Sequence, residues 1–177
     1  MTKNNKTLRT LCAGGALIAA SLWISPASAN VAGKGDGDAA GKTEFQCLTE
    51  AIYFEARSEP PSGQIAVAQV ILNRVESPLF PDTTCEVVYQ NDHLHNRCQF
   101  SFACDGKDET MDDSEAHADA VVAAKKAMAC NPDCRDEKGG VASSNFYHAD
   151  YVAPGWAEKF EHVGTVGRHI FYYSASL

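Results

Sequence analysis

The sequence predicts an α+β domain, helices followed by a small antiparallel sheet. Three features carry that prediction. Between Glu44 and Ala129 apolar residues recur in blocks at helical spacing. After Asn145 the blocks become short and rich in aromatic and β-branched residues, the composition of strands. Pro60-Pro61, Asp105-Gly106 and Gly167-Arg168 punctuate the chain where it must turn.

Glu44 to Arg57 reads as the first helix, with Leu48, Ala51, Ile52 and Glu55 on one stripe. Pro60-Pro61 ends it, because proline removes a helical donor and disfavours helix in the residue before it. Ser62 is expected to cap the next helix, Gly63 to Val75, which is apolar nearly all round and suits the domain centre. Thr84 to Tyr89 reads as a short helix. Gln99 to Ala103 is expected to be a strand, since Phe100 and Phe102 alternate with Gln99 and Ser101. Asp113 or Ser114 caps an Ala-rich helix that runs to about Ala129. Cys130 to Cys134 forms a tight turn and Gly139-Gly140 a loop. Asn145 to His148, Glu161 to Val166 and His169 to Tyr173 read as strands, and Gly167-Arg168 turns the last two into a hairpin.

The N-terminus reads as an address. Lys3, Lys6 and Arg9 precede a mostly apolar run from Leu11 to Ile24, then Pro26 and the small-x-small site Ala27-Ser28-Ala29. This is the layout of a secretory signal peptide spanning 1–29; uncleaved, it would be a tether. Residues 30–43, rich in Gly, Ala and Asp, read as a flexible leader, and residues 44–177 as the functional domain. Cleavage after Ala29 leaves 148 of the 177 residues. It removes three basic residues and no acids, so the net charge moves from −8 to −11. The exported chain keeps six of the seven cysteines: Cys47, Cys85, Cys98, Cys104, Cys130 and Cys134. In an oxidising compartment they read as three disulfides among 15 possible pairings, with Cys130–Cys134 a local bridge closed by Asn131-Pro132-Asp133. Zinc is the alternative, but the paired C-x₂-C hooks of zinc sites are missing. The acidic balance argues against a nucleic-acid partner, because phosphate contacts need clustered Lys and Arg. The membrane is expected to be met only through the transient signal.

Three clusters could carry chemistry. Glu55 lies among Ala51, Ile52, Tyr53 and Phe54. A carboxyl against apolar walls has a raised pKa, which suits a general acid for glycosidic cleavage. The alternative is a solvated helix-end Glu paired with Arg57. Glu59, past the helix end, is expected to be solvated. In the second cluster Gln99, Ser101 and Phe102 could line a groove and face a sugar. In the third, Tyr147, His148, Asp150, Tyr151 and Trp156 combine rings with hydrogen-bonding groups, as carbohydrate requires. His148 and Asp150 with His162 or His169 could instead hold a metal, although no H-E-x-x-H spacing is present. No G-x-S-x-G elbow is present either.

The run from Cys47 through Glu55-Ala-Arg-Ser-Glu-Pro to Gly63-Gln-Ile-Ala-Val-Ala-Gln-Val-Ile-Leu-Asn73-Arg74-Val resembles the SleB/CwlJ-type cell wall hydrolases. Cys-Gln-Phe-Ser-Phe-Ala-Cys-Asp-Gly at 98–106, Tyr147-His-Ala-Asp-Tyr-Val with Pro154 and Trp156, and Gly167-Arg-His-Ile-Phe-Tyr resemble later blocks of the same family, in order. Ser58 replaces a frequent Gly, and the Cys130/Cys134 pair is extra. No spore-type peptidoglycan-binding repeat occurs, so targeting to spore cortex is not expected. The resemblance implies a small domain akin to lysozyme and lytic transglycosylases, with Glu55 as catalytic acid and peptidoglycan as substrate. It implies cleavage between N-acetylmuramic acid and N-acetylglucosamine by a monomer without metal or cofactor. A one-acid lytic transglycosylase and a two-carboxylate hydrolase using Asp150 both stay open. A metal-dependent amidase and a non-catalytic wall-binding module are the rivals from other classes.

Overall fold

The computed structural model describes residues 41–94, 97–130 and 140–177. The expected signal peptide, most of the expected leader and Cys134 lie outside these. Helix α1 (Glu44–Ala56) starts at a capping box. Thr43 Oγ1 accepts from Gln46 N, and Gln46 Oε1 accepts from Thr43 N at 2.8 Å, so two end donors are satisfied reciprocally. The chain is already tied down at Lys42, whose ammonium donates to both oxygens of the buried Glu50 and to Tyr89 Oη.

Helix α2 (Pro61–Val75) corrects the expected boundary. Pro60 occupies the cap and Pro61 the first turn, with Ser62 inside the helix. The missing proline N–H costs nothing there, because first-turn donors have no intrahelical acceptor. The same dipeptide therefore ends α1 and begins α2. Helix α3 (Thr84–Val88) is capped by Thr83, and the Cys47–Cys85 disulfide staples it to α1 with the two Cα atoms 5.2 Å apart. Helix α4 (Ser114–Cys130) is capped by Asp113, whose Oδ1 accepts from Glu115 N and Ala116 N. Its inward face is Ala120, Ala123, Ala124 and Ala127, so α4 packs closely on both α1 and α2.

The core is built from Leu48, Ile52 and Tyr53 of α1, Val67, Val70 and Ile71 of α2, Val87 and Val88 of α3, and Phe171 from the sheet. Each large apolar side chain buried there stabilises the fold by about 1.5–3 kcal/mol. Among the described residues no helix is long and apolar enough to cross a membrane.

The strand expected over Gln99 to Ala103 is not there. Phe100 is extended, but Ser101–Cys104 is a 3₁₀ turn. The Cys98–Cys104 disulfide explains it. A strand over six residue steps would separate the two Cα atoms by about 20 Å, whereas the bridge holds them at 6.0 Å. Phe100 and Phe102 are still buried, so their alternation marked burial rather than pleat.

Three strands, β1 (Phe146–Ala149), β2 (Glu161–Val166) and β3 (His169–Tyr173), form an antiparallel sheet in the order β1-β3-β2. Tyr147 lies opposite Phe171, and a register irregularity falls between His162 and Gly164. The β2–β3 turn needs Gly167, which has φ +59° and sits so close to Glu59 that a Cβ would meet its carboxylate. Glu59 is therefore not the solvated residue expected: its Oε2 accepts from Arg168 N at 2.9 Å and ties the hairpin to the α1–α2 corner.

Candidate active site

Glu55 sits in the last turn of α1, where that helix runs out beside the sheet. Its neighbour Phe54 stacks on Phe102 of the 3₁₀ turn, with centroids 4.8 Å apart and planes at 21°. Opposite, Tyr147 of β1 donates its hydroxyl to Glu55 Oε2 at 3.2 Å. Two cavities meet at this residue. One, of about 360 Å³, is lined by Arg74, Gln99, Tyr147, His148 and His169 among others. The other, of about 310 Å³, is lined by Arg57, Phe102, Asp105, Lys107, Asp108 and Glu109. Phe54, Glu55 and Ser101 line both, so the carboxyl stands where a chain laid through the two cavities would cross it.

The strand that carries Tyr147 is set by α2. Asn73 Nδ2 donates to the carbonyls of Ala142 and Ser144 at 2.8 and 2.7 Å, and Arg74 Nε donates to that of Asn145 at 2.8 Å. These bonds fix the chain immediately before β1. Asn145 then exchanges two bonds with Ser174, at 2.7 and 2.9 Å, and locks β1 to the end of β3.

Burial raises the Glu55 pKa above the ordinary 4.5, because an enclosed carboxylate loses its hydration. The Tyr147 hydroxyl, the Arg74 charge and the Ser101 backbone N–H pull it back in part. Tyr147, buried and beside Glu55, is held well above the usual phenol range, so it remains a donor. Burial pushes Arg74 down to about 10, with Tyr147 and Glu55 opposing. Burial also lowers His169, against the pull of Glu59 and Asp150, which favours the neutral ring near neutral pH. The site thus places a carboxyl of raised pKa beside a phenol that donates to it, an arrangement that suits proton donation.

The expected site residues divide. Gln99, Ser101, Tyr147, His148 and Tyr151 line the Tyr147-side cavity, and Phe102 lines the other. Tyr151 is 75% exposed at the rim, with Arg168 5.3 Å from its ring centre. His148 donates from Nδ1 to the Ala149 carbonyl and accepts at Nε2 from Tyr172 Oη, which fixes its tautomer. Asp150 and Trp156 line neither cavity. Asp150 pairs with Arg168 at 3.1 Å. Trp156 packs against Phe146, Phe160, His148 and Tyr172. Among the described residues no group of three or more His, Cys, Asp or Glu is placed to hold a metal ion, and His148, Asp150 and His169 form no such group. Cys130 is disulfide-bonded, but its expected mate Cys134 lies outside the described residues.

Sequence reasoning missed Arg74 and the acidic wall of Asp105, Asp108 and Glu109. Arg74 gave a usable signal. It lies three residues after Ile71 and four after Val70, on the buried side of an apolar helix, where an arginine seldom sits without a task. The wall gave none, because a polar loop reads as solvated whatever it borders.

A sequence model described as Cell Wall Hydrolase matches residues 58–172, beginning three residues past Glu55. The chain is 33% identical over 128 residues to a spore cortex-lytic enzyme of Halalkalibacterium halodurans, covering 72% of this chain and 34% of the relative. The chain spans only about a third to two-fifths of the curated relatives it matches. Among solved structures it is similar to the catalytic domain of the germination-specific lytic transglycosylase SleB from Bacillus anthracis. That match has a TM-score of 0.53 at 30% identity and covers 75% of this chain and 97% of the other. The catalytic domain of the Bacillus cereus SleB protein gives 0.51 at 29% identity, with 73% and 88% covered. These likenesses agree with the α+β fold.

Proposed function

The chain belongs to the cell wall hydrolase family, and from that premise we propose that it cuts the glycan strand of peptidoglycan between N-acetylmuramic acid and N-acetylglucosamine. Glu55 is the catalytic acid. One observation carries this reading: a carboxyl whose pKa burial raises stands at the junction of two cavities, with Tyr147 donating to it.

The route is that of a lytic transglycosylase. Glu55 gives its proton to the glycosidic oxygen, the C1–O bond breaks, and its electron pair leaves with the glucosamine hydroxyl. Charge develops at the muramic C1 as in an oxocarbenium ion. The C6 hydroxyl of the same sugar then attacks C1 and passes its proton to the Glu55 carboxylate. The product is a 1,6-anhydro sugar and the acid is restored. Tyr147, His148, Gln99, Ser101 and Tyr151 bind sugar on one side and Phe102 on the other. No metal or cofactor enters. Residues 1–29 serve export, because this substrate lies outside the cytoplasmic membrane.

A second reading, two-carboxylate hydrolysis, is kept by Asp108 and Glu109 on the second cavity rather than by Asp150 or Asp105, which Arg168 and Lys107 engage. Activity of Glu55→Gln on purified peptidoglycan tests the acid. The expected loss of turnover is at least about 10²–10⁴-fold, the usual worth of general acid catalysis, in a protein that still folds and binds glycan. Near-normal turnover in the folded variant would overturn the assignment.

A further inference from the structure

Arg74 is the one cationic side chain of the site that is sealed in. It is 2% exposed, its Nε donates to the Asn145 carbonyl, and three rings, Phe80, Phe100 and Phe146, surround its guanidinium at 5.2–5.6 Å. Its Nη1 has no hydrogen-bond partner among the described residues, and no carboxylate pairs with it directly there. A buried charge left so is costly, and structural arginines are normally paired. Yet it lines the same cavity as Glu55 and Tyr147. The ring cage and the bond to Asn145 hold the guanidinium in place beside that cavity.

Resting on the reading of Glu55 as the acid, we propose that Arg74 is a positioning residue for the reaction: its fixed charge stabilises the carboxylate that Glu55 becomes between giving up one proton and taking the next. The need for it follows from the chemistry. A carboxyl raised only by burial holds its proton too firmly to give it away, and its conjugate base is poorly stabilised in a closed site. A cation fixed nearby, but too far to neutralise the carboxylate by direct contact, moderates both effects. Tyr147 lies close to both groups and donates to the same carboxyl. The other ionisable groups facing the site are His148, Tyr151 and His169, with Arg57, Asp105, Lys107, Asp108 and Glu109 on the second cavity. Asp105 and Lys107 are paired with each other, and Arg57 lies over the Tyr53 ring. Arg74 alone among these cations is buried, so solvent and salt screen it least.

The test is the pH dependence of kcat on purified peptidoglycan for Arg74→Lys and Arg74→Met in the full chain, with Val87→Ala as a core control. A general acid works below its pKa, so activity falls as pH rises through it. Removing the cation raises the Glu55 pKa and carries that alkaline limb upward, by about one unit in Arg74→Met, while kcat falls about tenfold and KM stays within about twofold. Arg74→Lys, whose shorter ammonium cannot keep the guanidinium geometry, moves the limb in the same direction but less. Val87→Ala lowers Tm and leaves the limb in place. An unmoved limb in a folded Arg74→Lys or Arg74→Met protein overturns the proposal, and so does an equal shift in Val87→Ala. If instead Glu55→Gln is active, the reading of the acid itself has failed, and the two failures are told apart.

Discussion

Enclosing the Glu55 carboxyl beside Phe54, Phe102 and Tyr147 has a cost in stability that depends on pH. Its folded pKa is raised, chiefly by burial, above the value of about 4.5 at which the unfolded chain titrates. The folded protein therefore holds the proton more tightly. Its contribution to stability is complete below that value and is lost as pH rises through the folded pKa. Glutamine cannot ionise and escapes this loss. Thermal unfolding is expected to show Glu55→Gln with a higher Tm than the parent at pH 7 and no such advantage at pH 4. A lower Tm at pH 7 would contradict a carboxyl whose pKa is raised by burial. This residue was legible because a carboxyl among apolar neighbours is unusual and a family motif surrounds it. Arg74 carried a signal too, a charge on the buried side of α2, but stripe counting gives each residue of a buried helix the same apolar role and passes over it. Glu59 was misread for the opposite reason: its partner, the Arg168 N–H, lies 109 positions away in the chain.

At the scale of elements, covalent links decided what local pattern could not. The alternation of Gln99 to Phe102 is a strand signal, and only the pairing of Cys98 with Cys104 rules the strand out. With 15 pairings open, that constraint could not be read beforehand. Likewise Pro60-Pro61 is both a stop and a start, which composition does not distinguish. The two described bridges differ in loop length, with sequence separations of 38 and 6. Chain entropy alone assigns about 4 kcal/mol to Cys47–Cys85 and about 2 kcal/mol to Cys98–Cys104. Their effects on activity should run the other way. The shorter loop carries Ser101 and Phe102 on the cleft wall, while Cys47–Cys85 joins α1 and α3 in the core. Denaturant unfolding of Cys47→Ala/Cys85→Ala is expected to show the larger loss of stability. Peptidoglycan turnover by Cys98→Ala/Cys104→Ala is expected to show the larger loss of rate in folded protein. The reverse ranking of either quantity would refute this division of labour.

For the molecule as a whole, helices before strands followed from periodicity, but the strand order β1-β3-β2 did not. A hairpin signal at Gly167-Arg168 pairs β2 with β3. What brings β1 to the free edge of β3 is a set of side chain to backbone bonds from Asn73, Arg74 and Asn145, which no spacing rule exposes. That arrangement sets Tyr147 against Glu55 and makes one site from two halves of the chain. On the proposed reading, this site cuts glycan with a single acid. The most direct test of that reading is mass spectrometry of the fragments released from purified peptidoglycan by the parent protein and by Glu55→Gln. Disaccharide-peptides ending in 1,6-anhydro-N-acetylmuramic acid are expected from the parent and none from the variant. Reducing muramic ends, or freed stem peptides with the glycan uncut, would contradict it.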